Sequence, residues 1–202
     1  GPINIQPAEV AKFVAVIYAA AYLTKKQDQI TQFARGLLPP LIVIGLLSGL
    51  VLLEPDLGTV VVMGLVVVTL LFLAGARIKH LAILSLCALT GVAALILTSP
   101  YRWKRFLMFL DPTKDPSGAG FQITQSFLAF GSGGPFGVGL GEGKQKLFFL
   151  PEAHTDFVLA LVGEELGLLG TVTIVLLFGL FVIKGFQIAS RARHPFGKHL
   201  AM

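Results

Sequence analysis

Charge is scarce in this sequence. Asp, Glu, Lys and Arg make up 13% of its 202 residues, about half of the roughly 25% found in soluble domains, which argues against water as the main solvent. Cysteine is scarcer still: Cys87 stands alone, which excludes an intrachain disulfide framework and a Cys-based metal site. Lying inside an apolar block, it reads as a small packing hydrophobe. Internal repeats are absent apart from a short glycine alternation. No basic stretch followed by an apolar run opens the chain, so a secretory signal is not expected. The abrupt start, and an end just after a basic segment, read as a fragment of a longer protein.

What is abundant is apolar. Hydrophobic residues account for 54% of the chain, and they fall into blocks of about 20, the length that crosses a hydrocarbon core as helix. The blocks at 8–24, 37–53, 57–76, 81–99 and 157–183 predict an all-α polytopic membrane protein with five transmembrane helices in one membrane domain over 1–202. Pro7 suits the first turn of the first helix, where a missing N–H costs nothing.

Lys and Arg gather on the cytoplasmic side of short membrane loops. Lys25, Lys26 and Arg35 follow the first block, Arg77 and Lys79 the third, and Lys184, Arg191, Arg193 and Lys198 the fifth. Segments 25–36, 77–80 and 184–202 are therefore expected in the cytoplasm, and 54–56 and 100–156 outside. On this reading the net charge of +5 is a topology signal rather than a mark of nucleic-acid binding.

The outer stretch 100–156 is long, and loops of such length in compact proteins usually carry function. FQITQSFLAF (121–130) and KLFFL (146–150) are too short to span and read as interfacial or re-entrant pieces. Between them GSGGPFGVGLGEG (131–143) invites a phosphate-loop reading, but no strand precedes it and Gly143-Lys144 is followed by Gln145 rather than Ser or Thr. A flexible membrane-surface loop is expected instead. Gly45 with Gly49, and Gly163 with Gly167, have the spacing that lets helices approach closely.

Ionisable residues inside spans are costly and usually paired or functional. Glu9 and Lys12 share one helix face and can form an internal pair. Glu164 and Glu165 sit about two turns into the last helix, where at least one should face protein or a wet cavity. Asp56, in EPDLG (54–58), fits a helix start and is also a candidate substrate contact.

The densest chemical cluster is LPEAHTDF (150–157), with Glu152, His154, Thr155 and Asp156 at the mouth of the last helix. Glu152 and Asp156 are four apart, so in helical conformation their carboxylates share a face. A helix N-terminus favours charged Asp156, which suits a general base, an electrostatic stabiliser or a metal ligand. Desolvation pushes the other way, and simple capping by Thr155 or Asp156 accounts for one of these residues. Two carboxylates could hold Mg²⁺ if a substrate phosphate completed the shell. Arg102, Lys104, Arg105, Lys114, Lys144 and Lys146 give the outer stretch cations that the orientation rule does not explain. Lipid headgroups or a pyrophosphate-linked substrate would meet them.

These residues resemble the SEDS (shape, elongation, division and sporulation) family, in particular its FtsW branch. The resemblance is carried by QPAEVAKF (6–13), EPDLGT (54–59), YRWKRFLMFLDP (101–112) and GVGLGEGKQKLFFLPEAHTDFVLALVGEELGLLG (137–170). The residues Gln145-Lys146-Leu147, and Ala153 before the histidine, favour FtsW or its sporulation relative over RodA. The resemblance implies that the five helices are the fourth to eighth of a ten-helix fold, and that the isolated fragment is inactive. It further implies a peptidoglycan glycosyltransferase of the bacterial inner membrane that polymerises lipid II for septal wall synthesis, beside a class B penicillin-binding transpeptidase and other division proteins. On that mapping Asp156 is the essential aspartate and activates the acceptor hydroxyl, while Glu152 positions substrate or metal. His154, Thr155, Lys144, Lys146, Arg102, Arg105, Asp56, Glu9 and Lys12 are candidate substrate contacts, with Mg²⁺ or Mn²⁺ a candidate cofactor held by Asp156 and Glu152. The alternatives are a lipid II flippase using Glu9, Lys12, Glu164 and Glu165, and a non-catalytic division scaffold.

Overall fold

The computed structural model describes residues 6–54, 56–112, 120–145 and 157–202. Among them the α-helices are α1 (Pro7–Lys25), α2 (Leu38–Leu53), α3 (Leu57–Leu73), α4 (Ile78–Leu97), α5 (Pro100–Leu110), α6 (Phe121–Gly133), α7 (Val158–Arg191) and α8 (Pro195–Ala201). Among the described residues four stretches are long and apolar enough to cross a membrane: α1, Phe33–Leu53, α4 and α7; α3 is apolar but shorter. The chain divides into two compact units, Gly1–Ala93 with Ile183–Met202, and Ala94–Val182.

In the first unit, α1 carries Glu9 in its first turn and Lys25 in its last, the order that suits the helix dipole. It buries mainly alanines, Ala8, Ala15, Ala19 and Ala20. Small side chains let backbones come close where lipid supplies no hydrophobic drive between helices. α1 packs against α2, α3 and α8, and Leu23, Ile30, Leu37, Met63, Val67 and Leu71 fill the core between them. A 3-10 turn at Gln27–Gln29 and a π turn at Phe33–Leu37 lead into α2. Gly36 is required in that turn, since a Cβ there would collide with the Gln29 carbonyl.

The spacing at Gly45 and Gly49 meets no neighbour: a Cβ at either would find nothing within 4 Å among the described residues. On α4 only Leu81 is buried, and Cys87, expected to pack as a small hydrophobe, is exposed. Ile83, Leu86 and Leu89 are exposed with it, an apolar surface suited to hydrocarbon rather than water.

In the second unit, α5 begins with Pro100 in its first turn, within the stretch 100–156 expected as an outer loop. α6 lies on the start of α7, with Ala129 and Ala160 buried beside Phe157 and Leu161. The last apolar block, expected as one continuous span over 157–183, is interrupted at Gly167, whose φ of 66° and ψ of −161° lie in a region essentially restricted to glycine.

Candidate functional site: a broken helix and the loop that completes it

A break in a helix frees carbonyls before it and N–H groups after it, and in hydrocarbon each unsatisfied group costs several kcal/mol. The stretch 134–139 supplies the missing partners. Val138 N–H donates to the Glu164 carbonyl at 2.9 Å and Gly139 N–H to the Glu165 carbonyl at 3.1 Å. Beyond the break, Leu168 N–H donates to the Gly134 carbonyl at 2.9 Å and Leu169 N–H to the Pro135 carbonyl at 3.2 Å. The glycine-rich run is thus tied to α7 by backbone hydrogen bonds, and is not the flexible surface loop its composition suggests.

Its glycines are there for close approach. Gly137 has φ 82°, and a Cβ on it would collide with the Glu165 carbonyl. Gly163 faces the Phe130 ring, and Gly167 faces the backbone of Gly134, Phe136 and Gly137, each with no room for a Cβ. The Gly163 and Gly167 spacing therefore serves close packing, of a loop and α6 against a broken helix rather than of two straight helices.

One turn before the break stands Glu164, only 3% exposed. Its Oε1 accepts the Lys144 N–H at 2.8 Å and its Oε2 accepts the Gln145 N–H at 3.1 Å. Gly143 makes room for this contact, because a Cβ there would sit 3.0 Å from Glu164 Oε2 and 3.0 Å from Glu165 Cγ. Of the two adjacent glutamates, Glu164 is the more deeply buried and Glu165 is half-buried. The sequence held a faint signal for this: an acid inside a span, between two glycines spaced for close contact.

The other candidate residues divide between the units. In the first, Lys12 Nζ pairs with Glu9 Oε1 at 2.7 Å, with Glu9 54% exposed. Asp56 is the N-cap of α3, its Oδ1 accepting the Thr59 N–H at 2.9 Å. Hydrogen bonding from Thr59 holds its carboxyl below the ordinary value, with a smaller contribution from the Lys12 ammonium. In the second unit, Arg102 donates to the Leu95 carbonyl at 3.4 Å, the Arg105 guanidinium lies 5.1 Å from the centre of the Tyr101 ring, and Lys144 is held through its backbone on Glu164. Lys146, Glu152, His154, Thr155 and Asp156 lie outside the described residues. Among the described residues no group of three or more His, Cys, Asp or Glu is placed to hold a metal ion. Glu152 and Asp156, the carboxylates suggested for Mg²⁺ or Mn²⁺, are not among them.

Apolar helices long enough to span, and a broken helix bridged by backbone hydrogen bonds from a loop, define a multi-pass α-helical membrane protein. Residues 1–202 match the FtsW/RodA/SpoVE family of cell cycle proteins, and the chain belongs to that family. It is 46% identical, over 98% of its length and 54% of the relative's, to the "Probable peptidoglycan glycosyltransferase FtsW" of Geobacter sp. (strain M18). It is 43% identical to the "Stage V sporulation protein E" of Bacillus subtilis (strain 168), covering 100% of this chain and 55% of that one. The chain thus spans about half the length of these curated relatives. Among solved structures it resembles a chain described under "Structural coordination of polymerization and crosslinking by a peptidoglycan synthase complex", with TM-score 0.72 and 26% identity over 100% of this chain and 55% of that one.

Proposed function

We propose that this chain is the central part of a peptidoglycan glycosyltransferase of the bacterial inner membrane, joining lipid II disaccharide units with release of undecaprenyl pyrophosphate during septal wall synthesis. The observation that carries this is the match over nearly the whole chain to relatives named for that activity. Within the proposal, the chain crosses the membrane five times and the stretch 100–156 faces outward. Asp156 takes the proton of the acceptor sugar's 4-hydroxyl as that oxygen attacks the donor's anomeric carbon, and the lipid pyrophosphate leaves. Glu152 positions the acceptor, with His154 and Thr155 beside it in sequence. Lys144, Lys146, Arg102 and Arg105 meet the negative charge of the departing pyrophosphate. Glu9, Lys12 and Asp56 contact substrate at the outer ends of α1 and α3.

Gln145 and Phe157 flank the stretch that carries these acids, and each belongs to a fixed part of the second unit. Gln145 is bound to Glu164, and the Phe157 carbonyl accepts the Ala160 N–H at 2.9 Å.

The test is to incubate the purified full-length protein, with a class B penicillin-binding transpeptidase as partner, with lipid II. Glycan polymer is the expected product. Movement of lipid II across the bilayer without polymer would instead identify a transporter, and neither activity would leave a scaffold.

A further inference from the structure

Glu164 lies outside the acidic cluster at 150–157, yet its side chain makes a specific contact within the second unit. It is buried, and its two carboxylate oxygens take the N–H groups of two consecutive residues, Lys144 and Gln145, at 2.8 and 3.1 Å. An ionised carboxylate binding backbone N–H groups forms short, strong, directional bonds. The contact sits on the N-terminal side of the Gly167 break, where Glu164 and Glu165 also offer their carbonyls to Val138 and Gly139. One turn of α7 therefore grips the loop at two places, by main chain at 138–139 and by side chain at 144–145.

The main-chain grip satisfies groups that the break would orphan whatever follows. The side-chain grip does something different: it fixes the main chain of Lys144 and Gln145 against α7. We infer that Glu164 is a positioning residue of the polymerase, a latch that holds the main chain of Lys144 and Gln145 on α7 and so sets where Lys144 meets the pyrophosphate of the substrate. The inference rests on the polymerase reading above. Displacements of about 1 Å in reacting groups are enough to cost large factors in rate.

The test uses the full-length protein with its transpeptidase partner, lipid II as substrate, and amide hydrogen exchange read by mass spectrometry. Glu164→Ala is expected to lower kcat about 10- to 100-fold, the factor equivalent to one charge-assisted hydrogen bond, while KM stays nearly unchanged. Exchange should accelerate at Lys144 and Gln145, with Val138 and Gly139 still protected. Glu164→Gln keeps an acceptor oxygen and should recover part of kcat. Gly143→Ala leaves the carboxylate in place but presses on Glu164 Oε2, and should reproduce the kcat-selective loss even if Glu164→Ala fails to fold. A folded Glu164→Ala or Gly143→Ala protein with wild-type kcat would overturn the inference. So would a loss of activity that tracks loss of protection at Val138 and Gly139, which is the mark of a structural role alone. If the wild-type protein makes no polymer, the polymerase reading fails and the positioning role falls with it; an active wild type beside an unaffected variant removes only the role.

Discussion

Replacing Gly167 with alanine is expected to open the junction between α7 and the loop 134–139. At φ 66° and ψ −161° an L side chain is strained by about 1–3 kcal/mol. The new Cβ would also stand 2.7 Å from the Gly134 carbonyl oxygen and 2.7 Å from the Phe136 nitrogen, and would collide with the Gly137 nitrogen. These are backbone atoms, so the loop as a whole has to move. If it leaves, the Val138, Gly139, Leu168 and Leu169 hydrogen bonds go with it, at roughly 0.5–1.5 kcal/mol each. The total is then roughly 3–9 kcal/mol, well above the effect of a typical substitution. Gly49→Ala is the control, since a Cβ there meets nothing within 4 Å, and alanine in a helix interior is favoured over glycine by about 1 kcal/mol. Thermal unfolding of the detergent-solubilised full-length protein, with amide exchange at Val138, Gly139, Leu168 and Leu169, measures both. Equal stability and equal protection for the two variants would refute the idea that α7 needs the break and its loop.

Gly163→Ala drives a methyl into the Phe130 ring and is expected to cost about 1–3 kcal/mol by overpacking; a melting series with Phe130→Leu should show that loss relieved in the double variant. Asp56→Ala removes the N-cap of α3 and should cost about 1 kcal/mol. Because the Asp56 carboxyl is held below its ordinary value of 3.8, its contribution to stability is complete above that pH and is lost as pH falls through the lowered value; Asp56→Asn should keep most of the cap and lose that acid dependence in pH-jump unfolding. Burial, reinforced by Lys198, holds His199 on α8 below its ordinary value of 6.5, so the unfolded chain takes up the proton first and stability should fall as pH drops below that value; a His199→Leu melting profile that stays as pH-dependent as wild type would contradict this.

Some of these features could be read from residue spacing. Glu9 and Lys12, three apart, form the pair that helical geometry allows, and Asp56 caps the helix that follows it. Other features depended on partners far along the chain. The loop 134–139 meets residues 164–169 across a long separation, and no local pattern distinguishes a glycine that breaks a helix from one that only packs it. Gly167 therefore looked like half of a packing motif. α5 falls between apolar blocks of spanning length, where that length gives no signal, although Pro100 after Ser99 is a helix-start signal. Glu164 could be flagged as an acid inside a span, but which of two adjacent glutamates turned inward, and toward which amides, required the fold.

The polymerase proposal rests on Asp156, two residues before α7 in sequence, as the general base. The most direct measurement is the polymerisation rate of full-length Asp156→Asn with lipid II, alongside its substrate binding and its association with the transpeptidase. Loss of a general base predicts a fall of about 10²–10⁴-fold in rate with binding and association retained. Polymerisation at the wild-type rate by the folded, partner-bound variant would rule out Asp156 as the base.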